Sequence, residues 1–138
     1  MDFLKVENSP KPRFYLSVGN TKETIELSMV TTANELPGFK IVRSCGFARG
    51  ITVRSRNLVA TIIGALCSLG GGRNHLFTEL CEQSRDEALQ LLIQQAIKLD
   101  GNAIVGCRYE SHDVLDGVTE VLAYGTAVSV EINDERQP

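Results

Sequence analysis

The chain has 138 residues, a formal net charge of −3 and an ordinary share of apolar residues. This length suits one domain with a modest hydrophobic core. A net negative chain lacks a broad basic surface, so we expect no nucleic-acid partner. Four arginines do cluster, but their strand-like spacing is typical of a solvated strand face; they are Arg43, Arg49, Arg54 and Arg56.

The beginning of the chain and its cysteines bear on the compartment. Residues 1–20 are polar and mixed in charge, without the apolar core of a signal peptide. None of the four cysteines forms a C-x-x-C pair. Without a secretory signal a disulfide framework is not expected, and the cytoplasm is the expected compartment.

The first third of the chain predicts an arm followed by a hairpin. Residues 1–20 are interpreted as an extended arm, and residues 21–138 as a single domain. The β-branched residues of 24–32 predict a strand, and Leu36-Pro37-Gly38 predicts a type II turn. Alternation from Phe39 to about position 54 predicts a second strand paired with the first. Gly46 and Gly50 are expected to be bulges in it.

The rest of the chain predicts two helices and a second hairpin. Asn57 is a plausible N-cap for a helix that ends before Gly70, and a longer helix covers about 76–99. Strands follow at 102–110 and 118–132, around a turn at 113–117. Gly106 and Gly125 lie in these apolar strands, where glycine marks a bulge or a close backbone approach. The order β-β-α-α-β-β predicts the α+β class with a mainly antiparallel sheet.

The first helix has no ionisable side chain from position 57 to 72. On a helical wheel its large apolar residues fall on one face, and Ala60, Gly64 and Ser68 lie on the opposite, uniformly small face. That face fits a subunit interface, a small-residue face left in water, or a membrane segment. The stretch is shorter than a membrane span needs. We therefore favour an interface and expect no membrane association.

The second helix has more apolar surface than one sheet needs. Leu89, Ile93 and Ile97 form a stripe beside the main one. This stripe is interpreted either as part of a subunit interface or as the side of one wide apolar face. Together the two helices predict that the chain associates with itself as a homo-oligomer.

The chemistry-bearing residues form no local motif. Cysteines and histidines are widely spaced, so a soft metal would need residues gathered by an assembly; the candidates are Cys45, Cys81, Cys107, His75 and His112. Gly71, Gly72 and Arg73 precede a helix and are weak candidates for anion binding, with a flexible turn as the alternative. No nucleophile lies in a catalytic motif, so no enzymatic activity is expected.

Several short motifs, taken in order, resemble the YbjQ-like family, an uncharacterised group labelled as heavy-metal-binding. They are Val30-Thr31-Thr32, Leu36-Pro37-Gly38-Phe39, Gly46-Phe47-Ala48-Arg49-Gly50, Gly71-Gly72, Arg85 with Ala88, Asn102-Ala103-Ile104-Val105-Gly106 and Gly125-Thr126-Ala127-Val128. The chain departs from the family at Asp100, where glycine is usual, and residues 1–20 lie outside the resemblance.

The resemblance implies a dodecin-like subunit in which helix and sheet layers pack together, and a pentameric ring of such subunits. It implies no substrate. We expect a binding or scaffold module. The alternative is a heavy-metal-binding protein whose soft divalent metal, suggested by the family label alone, is held by Cys and His side chains of the oligomer.

Overall fold

The computed structural model describes residues 24–70 and 73–134, and the predicted arm at 1–20 lies outside them. A short 3-10 turn covers Leu27–Met29. The helices and strands then follow as β1 Phe39–Ser55, α1 Arg56–Cys67, α2 Arg73–Lys98, β2 Ala103–Leu115 and β3 Val118–Ile132. The predicted α+β class and antiparallel sheet are confirmed.

The sheet has the order β1-β3-β2, with both neighbouring pairs antiparallel. The central strand β3 pairs with β1 from Phe39 opposite Ile132 to Ser55 opposite Val118. The hairpin of β2 and β3 closes at Asp116-Gly117, so β2 runs five residues further than predicted. Because β1 and β2 are the outer strands, each has one edge facing away from β3.

The predicted first hairpin is wrong, and the element order is β-α-α-β-β. Residues 24–32 form no strand beside β1; Val30 instead makes a parallel bridge to Ile104. Thr31 N donates to Ile104 O at 2.9 Å, and Cys107 N donates to Thr31 O at 2.9 Å. β-Branched residues favour an extended backbone but do not select its partner. Here the extended segment lies along the free edge of β2.

The predictions for the turn before β1 and for the start of α1 are partly correct. Phe39 N donates to Leu36 O at 3.0 Å, and Gly38 has φ +85°, so the type II turn is present. It leads from the edge segment into β1 rather than closing a hairpin. The first helix is capped by Ser55, whose Oγ accepts from Leu58 N at 3.3 Å, and not by Asn57.

The second helix ends through a residue in the left-handed region. Asp100 has φ +63°, and Gly101 N donates to Ala96 O at 3.0 Å. At this position the chain departs from the pattern of the family that it resembles. Asp tolerates the left-handed conformation better than most residues, so the departure preserves the helix end.

Helix α2 packs on one face of the sheet at very short range. The core there consists mostly of alanines and a few larger residues; it includes Ala48, Ala88, Leu92, Ala96, Ile104, Ala123 and Ala127. A Cβ on Gly50 would lie 2.0 Å from Ala88 O. Gly50 pairs regularly with Ala123, so it is a contact point for the helix and not the predicted bulge.

Of the other three glycines with a predicted role, two belong to β-bulges and one marks a close approach. Gly46 and Gly106 lie at register shifts and have φ of +123° and +62°, so both belong to bulges. A Cβ on Gly125 would lie 2.8 Å from Ile104 Cγ2, which identifies a close approach.

The opposite face of the sheet is covered at one end only. There Leu36 closes a second cluster with Ala103, Val105, Val128 and Val130. The remainder of that face is described below, because its residues are exposed in the single chain.

Candidate functional site

The uncovered face of the sheet has an apolar stripe. Strand alternation and register place Phe47, Ile51 and Val53 of β1 on this face beside Leu122 and Tyr124 of β3. The same alternation places two charged residues on it, Arg49 opposite Tyr124 and Glu120 opposite Val53. Phe47 is 61% exposed, and the rings of Phe47 and Tyr124 have their centroids 6.1 Å apart. We call these five residues the open sheet face.

Charged groups lie within this stripe, as Arg49 does, and along its border. On β2, Arg108 is opposite Tyr124, Glu110 is opposite Leu122, and Tyr124 OH donates to Glu110 Oε1 at 2.8 Å. This hydrogen bond is the main cause that raises the pKa of the Tyr124 hydroxyl, and desolvation is a smaller cause. An apolar centre with a polar border is the usual composition of a protein–protein contact.

The small face of α1 is open in the single chain. A Cβ on Gly64 would have no heavy atom within 4 Å, and Ala60 and Ser68 are exposed. Among the side chains of this helix that the structure describes, Val59, Ile62 and Ile63 are half-buried and the others are exposed, while Leu69 beyond its end is 81% exposed. The helix therefore exposes both small and large apolar groups. None of the described helices is long and apolar enough to cross a membrane.

The stripe on α2 belongs to the core of the subunit. Ile93 is buried, and Leu89 and Ile97 pack against the same cluster. That cluster also takes in Ile25, and Leu27 packs against it. The surplus apolar surface of α2 is thus the wide face of an ordinary core helix, covered by the chain itself. A subunit interface at Leu89, Ile93 and Ile97 stays a prediction, with Leu89 and Ile97 half-buried in the single chain.

The candidate metal ligands lie in separate places. Cys107 is buried in the main core, and Cys45 donates its Sγ hydrogen to Asp100 O at 3.6 Å. Cys81 and His75 are exposed on α2, and His112 is exposed on β2. Within residues 24–70 and 73–134, no group of three or more His, Cys, Asp or Glu side chains could hold a metal ion.

The protonation of the buried Cys107 thiol also makes it a poor metal ligand. Burial raises the pKa of the Cys107 thiol, partly offset by Arg108. Metals bind the thiolate, so a thiol with a raised pKa is a poor ligand at neutral pH. The described residues of one subunit therefore do not fit a resident heavy metal. A soft metal would need side chains from more than one subunit.

Chelation should leave the stability of the protein almost unchanged. A structural metal stabilises a fold through clustered ligands, and the described part of this chain has no such cluster. We expect EDTA to shift the melting temperature by no more than about 1 °C, measured by circular dichroism against an untreated sample. A large loss of stability would reveal a long-range metal site.

The weak anion site stays a prediction. Gly71 and Gly72 lie outside the described residues, and Arg73 is the first residue of α2.

Two titratable groups have pKa values raised by their surroundings. Burial, with smaller contributions from Cys107 and Asp86, raises the pKa of Tyr109 to about 12. Burial and then Glu82 raise the pKa of Asp86. Tyr109 is therefore protonated at neutral pH and cannot accept a proton.

Sequence reasoning missed a small cavity and misplaced one arginine. The side chain of Arg54 is only 16% exposed and forms a salt bridge with Glu87, so it does not lie on a solvated strand face. It also lines a cavity of about 230 Å³ between the helices and the sheet. Its spacing from Ala48, Gly50 and Thr52, each two residues apart, could have placed it on the face covered by α2.

These observations define a small α+β domain with an exposed sheet face that carries apolar residues and, in its described part, no metal cluster. The chain belongs to the family whose model matches residues 28–131 and is described as "Putative heavy-metal-binding". A UPF0145 protein of Solibacter usitatus is 48% identical over 101 residues, covering 73% of this chain and 90% of that protein. A UPF0145 protein of Burkholderia thailandensis is 51% identical over 100 residues, covering 72% and 90%.

A solved structure also resembles the chain. It is a protein of unknown function from Pediococcus pentosaceus, assigned to the DUF74 family, with 19% identity and a TM-score of 0.48. The match covers 74% of this chain and 96% of that protein.

Proposed function

We propose that the protein is a non-catalytic cytoplasmic binding or scaffold module that acts as a homo-oligomeric ring, with the pentamer that the family resemblance implies. The observation that supports this proposal best is the open sheet face. Phe47 is 61% exposed there, with Ile51 and Val53 exposed on the same strand. Exposed apolar side chains that share a face with charged ones are typical of protein–protein contacts.

The expected gain from covering this face is substantial. Burying an exposed Phe, Ile or Val side chain contributes about 1.5–3 kcal/mol. Three such residues on one strand, with Leu122 and Tyr124 beside them, provide apolar residues that a partner could bury. The second copy of this chain is the partner favoured by the other exposed apolar surface, on α1.

A ring needs two different surfaces on each subunit, because each subunit contacts one neighbour on either side. The open sheet face and the small face of α1 are two such surfaces. A flat helix face with Gly64 at its middle lets another backbone approach closely. We propose that the small face of α1 on one subunit packs against the open sheet face of the next.

Sedimentation velocity at micromolar concentration tests the assembly. The expected species has a mass several times the 15.1 kDa of one chain, and about fivefold for a pentamer. A single boundary at the mass of one chain would contradict the proposal.

The metal-binding alternative has support only from the description of the family. Since the described residues of one subunit do not cluster around a metal, such a site would have to form between subunits. Native mass spectrometry of the assembled protein, before and after addition of Zn²⁺ or Cu⁺, reports subunit number and bound metal together. A stoichiometric mass increase that survives desalting would favour the alternative.

A further inference from the structure

The cavity beside Arg54 combines an apolar wall with positive charge. It has a volume of about 230 Å³ and is formed by residues of α1, α2 and all three strands. Its apolar lining includes Val59, Phe77, Leu80 and Val121, and its charged lining consists of Arg54 and Arg85. Ser111 and Thr119 add hydroxyl groups, and none of the lining residues that the structure describes is acidic.

The guanidinium of Arg54 is buried but only partly satisfied. Its Nη2 donates to Glu87 Oε2, and its Nη1 donates to Thr52 Oγ1 at 3.3 Å. Its Nε is buried and has no hydrogen-bond partner in the described part of the chain. Arginine has five N–H donors, and a buried donor without a partner is costly. A further acceptor at this guanidinium would therefore be stabilising.

Arg85 supplies a second guanidinium that is weakly held. Its nearest carboxylate is Glu82 at 4.0 Å, and its side chain is 53% exposed. An exposed pair at that distance contributes little, so Arg85 can turn towards a bound anion. Glu87 pairs with Arg54 and Glu82 pairs with Arg85, but neither glutamate is among the lining residues. The lining itself is positive and apolar.

We propose that this cavity binds a small organic monocarboxylate with an apolar body. The carboxylate accepts hydrogen bonds from Arg54 and Arg85, since guanidinium and carboxylate form charge-assisted bonds. The apolar body lies against Val59, Phe77 and Leu80. The volume is below the roughly 300–1,000 Å³ of pockets for drug-sized ligands, which favours molecules of the size of benzoate or hexanoate. All lining residues come from one chain, so the inference does not depend on the proposed ring.

Ligand-observed NMR and isothermal titration with benzoate and hexanoate test this proposal on the full chain. Benzyl alcohol and hexanol serve as probes with the same apolar bodies and no charge. We expect both carboxylates to bind and the alcohols to bind at least about tenfold more weakly, because a hydrogen bond to a charged group is lost. Equal affinity for acid and alcohol, or no binding by either acid, would overturn the proposal.

Variants identify the binding group. Replacing both partners, Arg54→Met with Glu87→Gln, removes the guanidinium without leaving a buried charge unpaired. Carboxylate binding should fall by about tenfold or more in this variant. Arg56→Met is the matched control, because Arg56 is 77% exposed and does not line the cavity.

Cys81→Phe should block the cavity while leaving Arg54 in place. Unchanged binding in both the double variant and Cys81→Phe would show that the site lies elsewhere. Sedimentation velocity of the same samples reports whether each variant still assembles. A change in carboxylate binding can therefore be distinguished from a failure to assemble.

Discussion

Gly50→Ala is expected to lower the free energy of unfolding by about 3 kcal/mol or more, which is a large part of the stability of a small domain. The added methyl carbon would lie 2.0 Å from Ala88 O, 2.4 Å from Leu92 N and 2.8 Å from Leu91 Cβ. Two of these are backbone atoms of α2, so no side-chain rotation can make room. The helix would have to move away from β1 and open the alanine-rich core. Urea unfolding followed by circular dichroism measures the loss.

Gly64→Ala is the matched control for this substitution. Gly64 is also flanked by apolar residues, but an added Cβ would have no heavy atom within 4 Å. In a helix, alanine is more favourable than glycine by about 1 kcal/mol, so this variant should be as stable as the wild type or more stable. If Gly50→Ala unfolded at the same urea concentration as the wild type, the close packing of α2 on β1 would be wrong.

Gly64→Arg is expected to separate the assembly into single subunits that remain folded. Arginine favours helix formation, and the site is open within one chain, so the subunit tolerates it. Between subunits its bulk and unpaired charge would be buried at high cost. Phe47→Glu should have the same effect from the open sheet face. Size-exclusion chromatography with light scattering measures the mass, and circular dichroism checks the fold.

Mixing these two variants tests the head-to-tail arrangement. Each variant retains the surface that the other has lost, so one intact contact can form between them. We expect a 1:1 pair that grows no further, because the remaining surfaces on both subunits are damaged. Gly64→Ala should assemble like the wild type. If Gly64→Arg stayed assembled and as stable as the wild type, the small face of α1 would be open to solvent and the interface would lie elsewhere.

Helix and strand periodicity predicted most of the elements correctly. The absence of charge from 57 to 72 and the apolar stripes of the next segment indicated two helices, and both are present. Alternation likewise indicated β1. These signals are local, since a side chain's position on a helix or strand follows from spacing alone. The boundaries shifted by a few residues where a neighbouring group decided the end, as Ser55 does for α1.

The sequence predicted much less of the candidate site than of the helices and strands. The spacing of cysteines and histidines indicated no local metal site, and the described residues contain no metal cluster. Arg54 was interpreted as solvated because arginine usually is, yet it packs beneath the helices with Glu87. The carboxylate that pairs with it, that of Glu87, lies 33 positions away. No local pattern reports such a pairing.

The sequence by itself determined the class of elements, the family and the small-sided helix, because each depends on residues that are close along the chain. The tertiary structure decided the partners. Residues 30–33 lie beside β2 and not beside β1, and the stripe of Leu89, Ile93 and Ile97 became part of the core. It also left Phe47 and its neighbours exposed. The physical reason is that hydrogen-bonding edges and apolar faces have no intrinsic preference for one partner, and packing over the whole chain selects among them.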